Sequence, residues 1–297
     1  MSAGMGQVGL WTAGLDQLEV PAARDAVASL DAQGWGALWF GEAYGREAFT
    51  AAQLYLSASE RLVVGTGIAS IYGRDAVAAD AAGRTLAAAY PGRFVLGLGV
   101  SHAPLVERMR GHSYGRPLAA MTEYLDALDA ARYTEPGGEP PPRVLAALGP
   151  KMLALARDRA QGAHPYLVTP DATAASREVL GEGPVLAVEQ AVVLDDDVDE
   201  WRRRAHWHLE IYTGLPNYRG SWVRQGFDEP DFGRGGSDRL KDAMVARGLP
   251  AIRQRVREHL DAGASHICLQ VLGADAFDVP QDDWARLATE LDLASGP

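Results

Sequence analysis

The strongest pattern in the chain is a pair of continuous apolar runs, Leu62–Ile68 and Phe94–Leu98, separated by an alanine-rich segment. The segment has the composition of a helix and ends at the Pro91-Gly92 turn. Runs that are continuous rather than alternating are typical of strands covered on both faces. A connection of this length fits parallel pairing. The stretch therefore predicts a strand, a crossover helix and a second strand.

The same unit recurs along the chain. In residues 30–40, 159–168 and 260–271 a helix ends at a glycine, and an apolar run begins a few residues later. The runs predict strands at Val8–Trp11, Ala37–Phe40, Leu62–Ile68, Phe94–Leu98, Arg143–Ala147, Tyr166–Val168, Pro184–Leu194 and His266–Leu272. Further helices are predicted at Pro21–Gln33, Pro117–Arg132, Lys151–Ala160, Asp171–Leu180 and Pro250–Ala262. This alternation predicts an α/β fold, and eight strands favour a (β/α)8 TIM barrel over an open doubly wound sheet.

One connection, residues 195–249 after the seventh strand, is too long for a simple loop. It begins with a helical pattern from Val198 to Tyr212, and an irregular stretch follows with the aromatic residues Tyr218, Trp222, Phe227 and Phe232. We expect an aromatic-rich insertion over the barrel mouth, as a lid or substrate wall, within a single domain spanning residues 1–297. By composition alone, packing of these aromatic residues onto the barrel or onto a second subunit fits equally well.

Charge and cysteine usage narrow the choice of partners. The 297 residues include 28 basic and 39 acidic side chains, a formal net charge of −11, and the lysines are Lys151 and Lys241. No basic stripe is present, so we expect neither a nucleic-acid nor a membrane partner. Cys268, the single cysteine, predicts a buried, reduced thiol. With no leader pattern and no apolar stretch long enough to cross a bilayer, the sequence predicts a cytoplasmic protein.

Each of the two central runs ends in Gly-x-Gly, at residues 65–67 and 97–99. Glycines at strand ends let the backbone bend or let a ligand approach it closely. A dinucleotide-binding fingerprint also needs a third glycine, where this chain has Ser70, and an acidic residue at the end of the next strand. Both are missing, and the pattern therefore disfavours nicotinamide binding of that kind.

Several segments together carry a family resemblance. They are Gly65-Thr66-Gly67-Ile68, TLAAAYPGRF at residues 85–94, LGLG at 96–99, AALGPK at 146–151 and Thr169. With these residues the chain resembles the bacterial-luciferase-like superfamily, and within it the branch of coenzyme F420-dependent oxidoreductases. The resemblance covers nearly the whole chain and is most specific in residues 62–100.

The resemblance implies a cofactor site. Relatives hold a non-prolyl cis peptide behind the cofactor's central ring, and the matching bond is Gly67-Ile68. Their phosphate site matches Leu148, Gly149 and Lys151, where a strand ends and free N–H groups begin a helix. Thr169 matches a threonine that binds the same phosphate. A lysine that some relatives have shortly afterwards is missing, which either weakens the phosphate assignment or shifts the duty to an arginine. Without the resemblance, Gly149-Pro150 is equally a plain strand-to-helix turn.

Two strand ends carry candidate catalytic residues. Glu42 follows the second strand, and the resemblance implies an acidic or histidine residue there that contacts the ring or acts as acid or base; an exposed loop glutamate is the alternative. Ser101 and His102 follow the fourth strand, where many relatives have a glutamate near the ring's reactive carbon. A histidine can give and take a proton near neutral pH, so His102 is our candidate, against a histidine that only anchors its loop.

The remaining histidines predict no further chemistry. His206 and His208 face different directions on a helix, His164 precedes the sixth strand at the wrong end for catalysis, and His259 lies on a surface helix. No metal-binding or nucleophile motif occurs, so we expect no metal and no covalent nucleophile.

The favoured function is therefore that of an F420-dependent oxidoreductase, which transfers a hydride between C5 of the deazaflavin ring and a small organic substrate. A luciferase-like monooxygenase that binds FMN is the first alternative, and a non-catalytic flavin-binding member of the fold is the second. Basic groups available for the acidic F420 tail are few: Lys151, Arg74 and Arg177. The resemblance also implies a homodimer.

Overall fold

The structure, a computed structural model, describes residues 2–275 and 277–295. Its strands are β1 (Val8–Trp11), β2 (Ala37–Phe40), β3 (Val63–Thr66), β4 (Ala69–Ser70), β5 (Phe94–Gly99), β6 (Arg143–Leu145), β7 (Gly162–Ala163), β8 (Val185–Val193), β9 (Val245–Arg247) and β10 (His266–Val271). Its α-helices are α1 (Ser2–Met5), α2 (Val20–Ala32), α3 (Ala48–Leu56), α4 (Ala76–Ala89), α5 (Pro117–Asp129), α6 (Pro150–Arg159), α7 (Pro170–Leu180), α8 (Val198–Tyr212), α9 (Pro216–Arg224), α10 (Asp238–Met244), α11 (Gly248–Asp261) and α12 (Gln281–Glu290).

Eight parallel strands close into a barrel in the order β1, β2, β3, β5, β6, β7, β8, β10 and back to β1. The (β/α)8 barrel predicted from the apolar runs is thereby confirmed. Strand β4 continues the third barrel strand beyond Gly67-Ile68 and pairs with β5. Strand β9 pairs with the end of β8, at residues 191–193.

Side chains fill both faces of the barrel strands, which is why the runs are continuously apolar. All nine residues of β8 are buried. Val185 and Ala187 pack inside the barrel with Trp39 and Cys268, whereas Leu186 and Val188 pack outward under the helices. The predicted burial of the Cys268 thiol is confirmed. Within the described residues, no helix combines the length and the apolar content that a bilayer crossing requires.

The sixth barrel strand was predicted wrongly. It is β7, at Gly162–Ala163, and not Tyr166–Val168. The apolar residues that suggested a strand follow it in an irregular segment, because Leu167 has a left-handed backbone with φ of 54° and donates its N–H to the Glu189 side chain at 3.0 Å. Pro165, which has no N–H to donate, precedes them.

The long insertion follows β8, the seventh barrel strand, as predicted. It contains α8, α9, a short 3-10 helix at Glu229–Phe232, α10 and β9, so the part after α8 is more regular than predicted. Its aromatic residues divide between two roles. Trp222, Phe227 and Phe232 are buried in a separate apolar cluster that joins the insertion to β8, whereas Tyr218 also reaches a cavity at the top of the barrel.

Candidate active site

A cavity of about 700 Å³ lies at the carboxyl ends of the barrel strands. Residues at or just after the carboxyl ends of six strands line it, among them Trp11, Glu42, Gly67, Ile68, Gly99, Ser101, His102, Ala146, Leu148, Gly149, His164 and Tyr166. The insertion supplies the remaining wall, with Ile211, Tyr212, Leu215, Tyr218 and Arg224. The carboxyl face is where (β/α)8 enzymes hold their active sites, and the volume is within the usual range for a ligand pocket.

The peptide bond between Gly67 and Ile68 is cis, as the resemblance implies, and it forms part of the cavity wall. Its neighbours fix it by hydrogen bonds. The indole N–H of Trp11 donates to the Gly67 carbonyl at 3.0 Å, and the Glu42 N–H donates to the Ile68 carbonyl at 3.1 Å. A Cβ at position 67 would lie 2.7 Å from Trp11 Nε1 and 2.9 Å from His164 Nε2, so the packing admits only glycine.

Glu42 is on the cavity wall, and its carboxylate is bonded to other groups of the protein. The side chain is 4% exposed, and it forms an ion pair with Arg74, whose Nη1 lies 3.0 Å from Oε2. Oε2 also accepts the N–H of Ser70 at 2.8 Å. Burial opposes the charge on Arg74, yet the hydrogen bond and the charge of Glu42 outweigh it and raise the pKa of the guanidinium. Glu42 is therefore a buried, paired carboxylate rather than an exposed loop residue, and it positions the segment after Ile68.

Ser101 and His102 also reach the cavity. Ser101 has a left-handed backbone, with φ of 56°, and its carbonyl accepts the Tyr114 hydroxyl at 3.2 Å. The bend leaves the His102 ring on the cavity wall, with its centroid 5.8 Å from that of Tyr218. Burial lowers the pKa of His102, so the imidazole is neutral near pH 7 and offers one N–H donor and one acceptor nitrogen.

Leu148 and Gly149 line the end of the cavity where α6 begins. Gly149 has no side chain to cap the helix, and across the described ranges the backbone N–H groups of Gly149 and Lys151 have no hydrogen-bond partner. Arg224 of the insertion lies above them, with Nη2 2.7 Å from the Leu148 carbonyl. A helix start of this kind, with a guanidinium beside it, suits an anion.

Two predicted cofactor residues are not on the cavity wall. The side chain of Lys151 is exposed on α6, outside the lining residues. Thr169 is the N-cap of α7, because its hydroxyl oxygen accepts the Ala172 N–H at 3.3 Å. Arg177 is also remote: it donates to the carbonyls of Pro184 and Gly263, near the amino ends of β8 and β10. The guanidinium near the helix start is that of Arg224, which the sequence did not single out.

Three tyrosines form the wall between the barrel and the insertion. The Tyr212 hydroxyl donates to that of Tyr166 at 3.2 Å, and Tyr166 donates to Gln270 Oε1 at 2.6 Å. Tyr218 packs its ring 4.7 Å from that of Tyr212. Burial raises the pKa of Tyr212 to about 12 and those of Tyr166 and Tyr218 well above 10, so all three hydroxyls keep their protons.

Sequence reasoning was wrong about two histidines. His164 directly follows the short β7, so it lines the cavity, stacks on Trp39 at 4.9 Å, and donates from Nδ1 to the Ala187 carbonyl at 2.8 Å. His259 is fully buried in α11, where it contacts Thr173 and Gln190. The different directions of His206 and His208 are confirmed, since the first is exposed and the second buried. In residues 2–275 and 277–295, no three His, Cys, Asp or Glu side chains are arranged to hold a metal.

A closed barrel with a cavity at its carboxyl face is the architecture of a (β/α)8 enzyme. The comparisons with known proteins identify this enzyme as an oxidoreductase by type. The chain belongs to the luciferase-like monooxygenase family, whose model matches residues 9–260. The resemblance drawn from the central glycine-rich block is thereby confirmed.

A protein of Mycobacterium tuberculosis that carries the provisional name of coenzyme F420-dependent oxidoreductase is 28% identical over 243 residues, which are 66% of this chain and 69% of that protein. Solved structures of similar fold include an F420-dependent secondary alcohol dehydrogenase, with a TM-score of 0.73 and 13% identity over 96% of this chain and 97% of that one. The oxygenating component of 3,6-diketocamphane monooxygenase from Pseudomonas putida, solved with FMN, has a TM-score of 0.67 and 14% identity, and the match covers 96% of each chain. At these identities the structural likeness concerns the fold.

Proposed function

We propose that the protein is an F420-dependent oxidoreductase that transfers a hydride between C5 of the deazaflavin and a small organic substrate. The observation that carries the proposal is the cavity, where a wall of small residues and backbone meets an uncapped helix start beside Arg224. The similarity to the mycobacterial protein supports F420 as the cofactor.

The residues present fit such a cofactor. Gly67, Gly99, Ala146 and Ala147 give one side of the cavity little side-chain bulk, which suits the face of a planar ring. The N–H groups of Gly149 and Lys151, together with Arg224, suit its phosphate. Bound F420 would supply hydride chemistry at C5. Thr169 is outside the cavity lining, and its hydroxyl oxygen caps α7, so the proposal assigns the phosphate to the groups named above.

The protein's own contribution is orientation, exclusion of water and proton handling. His102 is neutral near pH 7, so its unprotonated ring nitrogen can accept the proton that an alcohol loses on oxidation, and the protonated ring can return that proton in the reverse direction. Glu42 is paired with Arg74 and accepts the Ser70 N–H, so the proposal gives it the positioning of the backbone after Ile68 and gives the proton to His102.

A monooxygenase that uses FMN is the second candidate. Structures of both F420 and FMN enzymes resemble this chain at similar TM-scores. Both cofactors carry a tricyclic ring and a phosphate, so the cavity features above suit either one.

Titration of the purified protein separates the candidates. Quenching of F420 fluorescence with saturation supports the proposal, saturable binding of FMN alone supports the monooxygenase, and binding of neither contradicts both.

Arg224 gives the first specific prediction. We expect Arg224→Gln to weaken F420 binding about tenfold, because a charge-assisted hydrogen bond to phosphate is lost. Binding of the phosphate-free deazaflavin fragment should not change. The matched control is Arg157→Gln on α6, whose guanidinium pairs with Asp158 outside the cavity. Equal weakening of both ligands by Arg224→Gln would show that this guanidinium does not contact the phosphate.

A further inference from the structure

One hydroxyl on the cavity wall belongs to a buried residue and lacks a partner among the described residues. The hydroxyls of Tyr212 and Tyr166 are joined to each other and to Gln270. Tyr218 is 6% exposed and lines the cavity, and its hydroxyl has no hydrogen-bond partner anywhere in the described part of the chain. The hydroxyl oxygen is reached from the cavity, unlike the enclosed atoms without a partner in His164, Glu189, His208 and Trp284. The Tyr218 hydroxyl is therefore available to a ligand atom in the cavity.

The ring of Tyr218 is held independently of its hydroxyl. It packs against Tyr212 at 4.7 Å and against Trp222 at 5.8 Å, and Trp222 is fully buried in the core of the insertion. Burial keeps the pKa of the phenol well above 10, so the group is an O–H donor over the whole working range of pH. A fixed ring with a protonated hydroxyl is suited to bind an acceptor oxygen in a defined position.

The ring of His102 lies beside it, with a centroid separation of 5.8 Å. No hydrogen bond of the imidazole to another described residue occurs in the structure, although its ring lines the same cavity. Two unpartnered polar side chains, one from the loop after β5 and one from the insertion, thus adjoin the same space. Their rings are close enough to adjoin one ligand group.

The wall around this pair is mostly apolar, with Ser101 and Asn217 as further polar residues, and the described residues supply no free cation there. Pro104, Leu105, Ile211, Leu215 and Pro216 line it. Among the described residues, the charged side chains on the whole cavity wall are those of Asp16, Glu42 and Arg224. The two carboxylates have arginine partners, Arg46 and Arg74. Arg224 lies six residues beyond Tyr218, about 9 Å along the axis of α9, beside the helix start at Gly149.

We propose that Tyr218 donates a hydrogen bond to the carbonyl or alcohol oxygen of an uncharged, largely apolar substrate, with His102 at the same oxygen. The inference rests on the proposed function, which assigns the cofactor ring to the wall of Gly67, Gly99, Ala146 and Ala147. An anionic substrate is disfavoured, because burying its charge here would leave that charge unpaired. A site built around a hydrogen bond also discriminates against analogues that lack the oxygen.

Three probes of one shape test the proposal by isothermal titration calorimetry of the F420-saturated protein. They are 2-acetylnaphthalene, its isostere 2-isopropylnaphthalene, which has no oxygen, and 6-acetyl-2-naphthoate, which adds a carboxylate. We expect Tyr218→Phe to weaken binding of the ketone about three- to tenfold, the usual worth of one neutral hydrogen bond, and to leave the isopropyl compound unchanged. The carboxylate should bind the wild-type protein at least about tenfold more weakly than the ketone.

The matched control is Tyr133→Phe, because the Tyr133 ring packs under Arg84 away from the cavity. Loss of its hydroxyl should leave all three affinities unchanged. An equal loss for ketone and isostere in Tyr218→Phe, or no loss for either, overturns the role of Tyr218. Binding of the carboxylate as tight as that of the ketone overturns the substrate class.

Because these titrations need no turnover, they also separate this inference from the proposed function. If F420 does not bind, the proposed function fails, and the ratio of ketone to isostere affinities in cofactor-free protein still decides whether Tyr218 contacts the oxygen.

Discussion

Glu189 is a buried carboxyl group behind the tyrosine wall. One of its oxygens accepts the Leu167 N–H at 3.0 Å, and the other has no partner in the described ranges. Burial raises its pKa from 4.5 to about 8, against the opposing effect of the Leu167 hydrogen bond. A charge on Glu189 would raise the pKa values of Tyr166, Tyr212 and Tyr218, so the carboxyl lies near all three phenols. It is protonated at neutral pH.

This raised pKa makes the folded state less favourable as pH rises. Between pH 4.5 and about 8 the unfolded chain has released the Glu189 proton while the folded chain retains it, so this group's contribution to stability is full below pH 4.5 and is lost towards pH 8. We expect the free energy of unfolding of Glu189→Gln, measured relative to that of wild type, to increase from pH 5 to pH 8 by on the order of 4 kcal/mol. Urea unfolding at the two pH values measures the gain.

The control for this measurement is Glu123→Gln, an exposed change on α5. Its free energy of unfolding should follow that of wild type at both pH values. A constant offset of Glu189→Gln from wild type at pH 5 and pH 8 would show that Glu189 is ionised in the folded protein.

At the scale of an element, α7 depends on one residue at its start. The Thr169 side chain caps its amino end. The hydroxyls of Thr173 and Ser176 donate hydrogen bonds to the carbonyls of Thr169 and Ala172, four residues earlier. We expect Thr169→Ala to reduce the free energy of unfolding by about 1 kcal/mol, whereas Thr169→Ser retains the cap and most of the stability. Urea unfolding of the two variants gives the comparison.

The same pair of variants tests the role that the family resemblance implies for Thr169. A residue that only caps α7 leaves F420 affinity unchanged in Thr169→Ala. A loss of affinity that Thr169→Ser restores would instead place the hydroxyl on the phosphate.

Sequence pattern was sufficient for elements whose burial is continuous. The runs around β1, β2, β3, β5, β8 and β10 are apolar on both faces, and each was located to within one or two residues. The two-residue β7 was misplaced because the apolar residues after it resemble a strand, although a left-handed Leu167 prevents them from pairing as one. That one error placed His164 at the wrong end of its strand. Short strands give too few residues for a period to be read.

The candidate site was predictable in position and only partly in chemistry. Glu42, Gly67, His102 and Gly149 follow predicted strands, and this placed them at the carboxyl face, because all strands of a (β/α)8 barrel end there. The ion pair between Glu42 and Arg74 and the placement of Arg224 were not predictable, because they join residues 32 and 76 positions apart in the chain. Local periodicity contains no information on such contacts. The helical spacing of Trp201, Leu209 and Tyr212 did locate α8 correctly.

At the scale of the whole molecule, four histidines among the described residues are buried in neutral form. Burial lowers the pKa values of His164, His208 and His266 to about 4 and that of His259 to about 3. Below pH 6.5 the unfolded chain binds protons that the folded chain does not, so the stability from these groups is complete above pH 6.5 and is lost as pH falls towards 4. His164, His208 and His266 each contribute up to about 3 kcal/mol and His259 up to about 5 kcal/mol, and the four together exceed the opposite effect of Glu189. We expect the urea midpoint to fall steeply between pH 6.5 and pH 4.5.

His208 offers the cleanest check on that slope, because its Nε2 has no partner in the described ranges and its neighbour His206 is an exposed control on the same helix. His208→Gln should reduce the loss of stability between pH 6.5 and pH 4.5 by about a quarter. His206→Gln should leave the slope as it is. Equal slopes in all three proteins would mean that His208 is charged in the folded state.

Helix α9 touches both ends of the cavity: Tyr218 lies in its first turn, and Arg224, its last residue, reaches Leu148. Trp222 lies between them on the same helix and is fully buried in the core of the insertion, which anchors the helix. The helix therefore sets the spacing between the phenol and the guanidinium. Under the proposed function, a ligand pair that occupies both ends of the cavity has to fit that preset spacing.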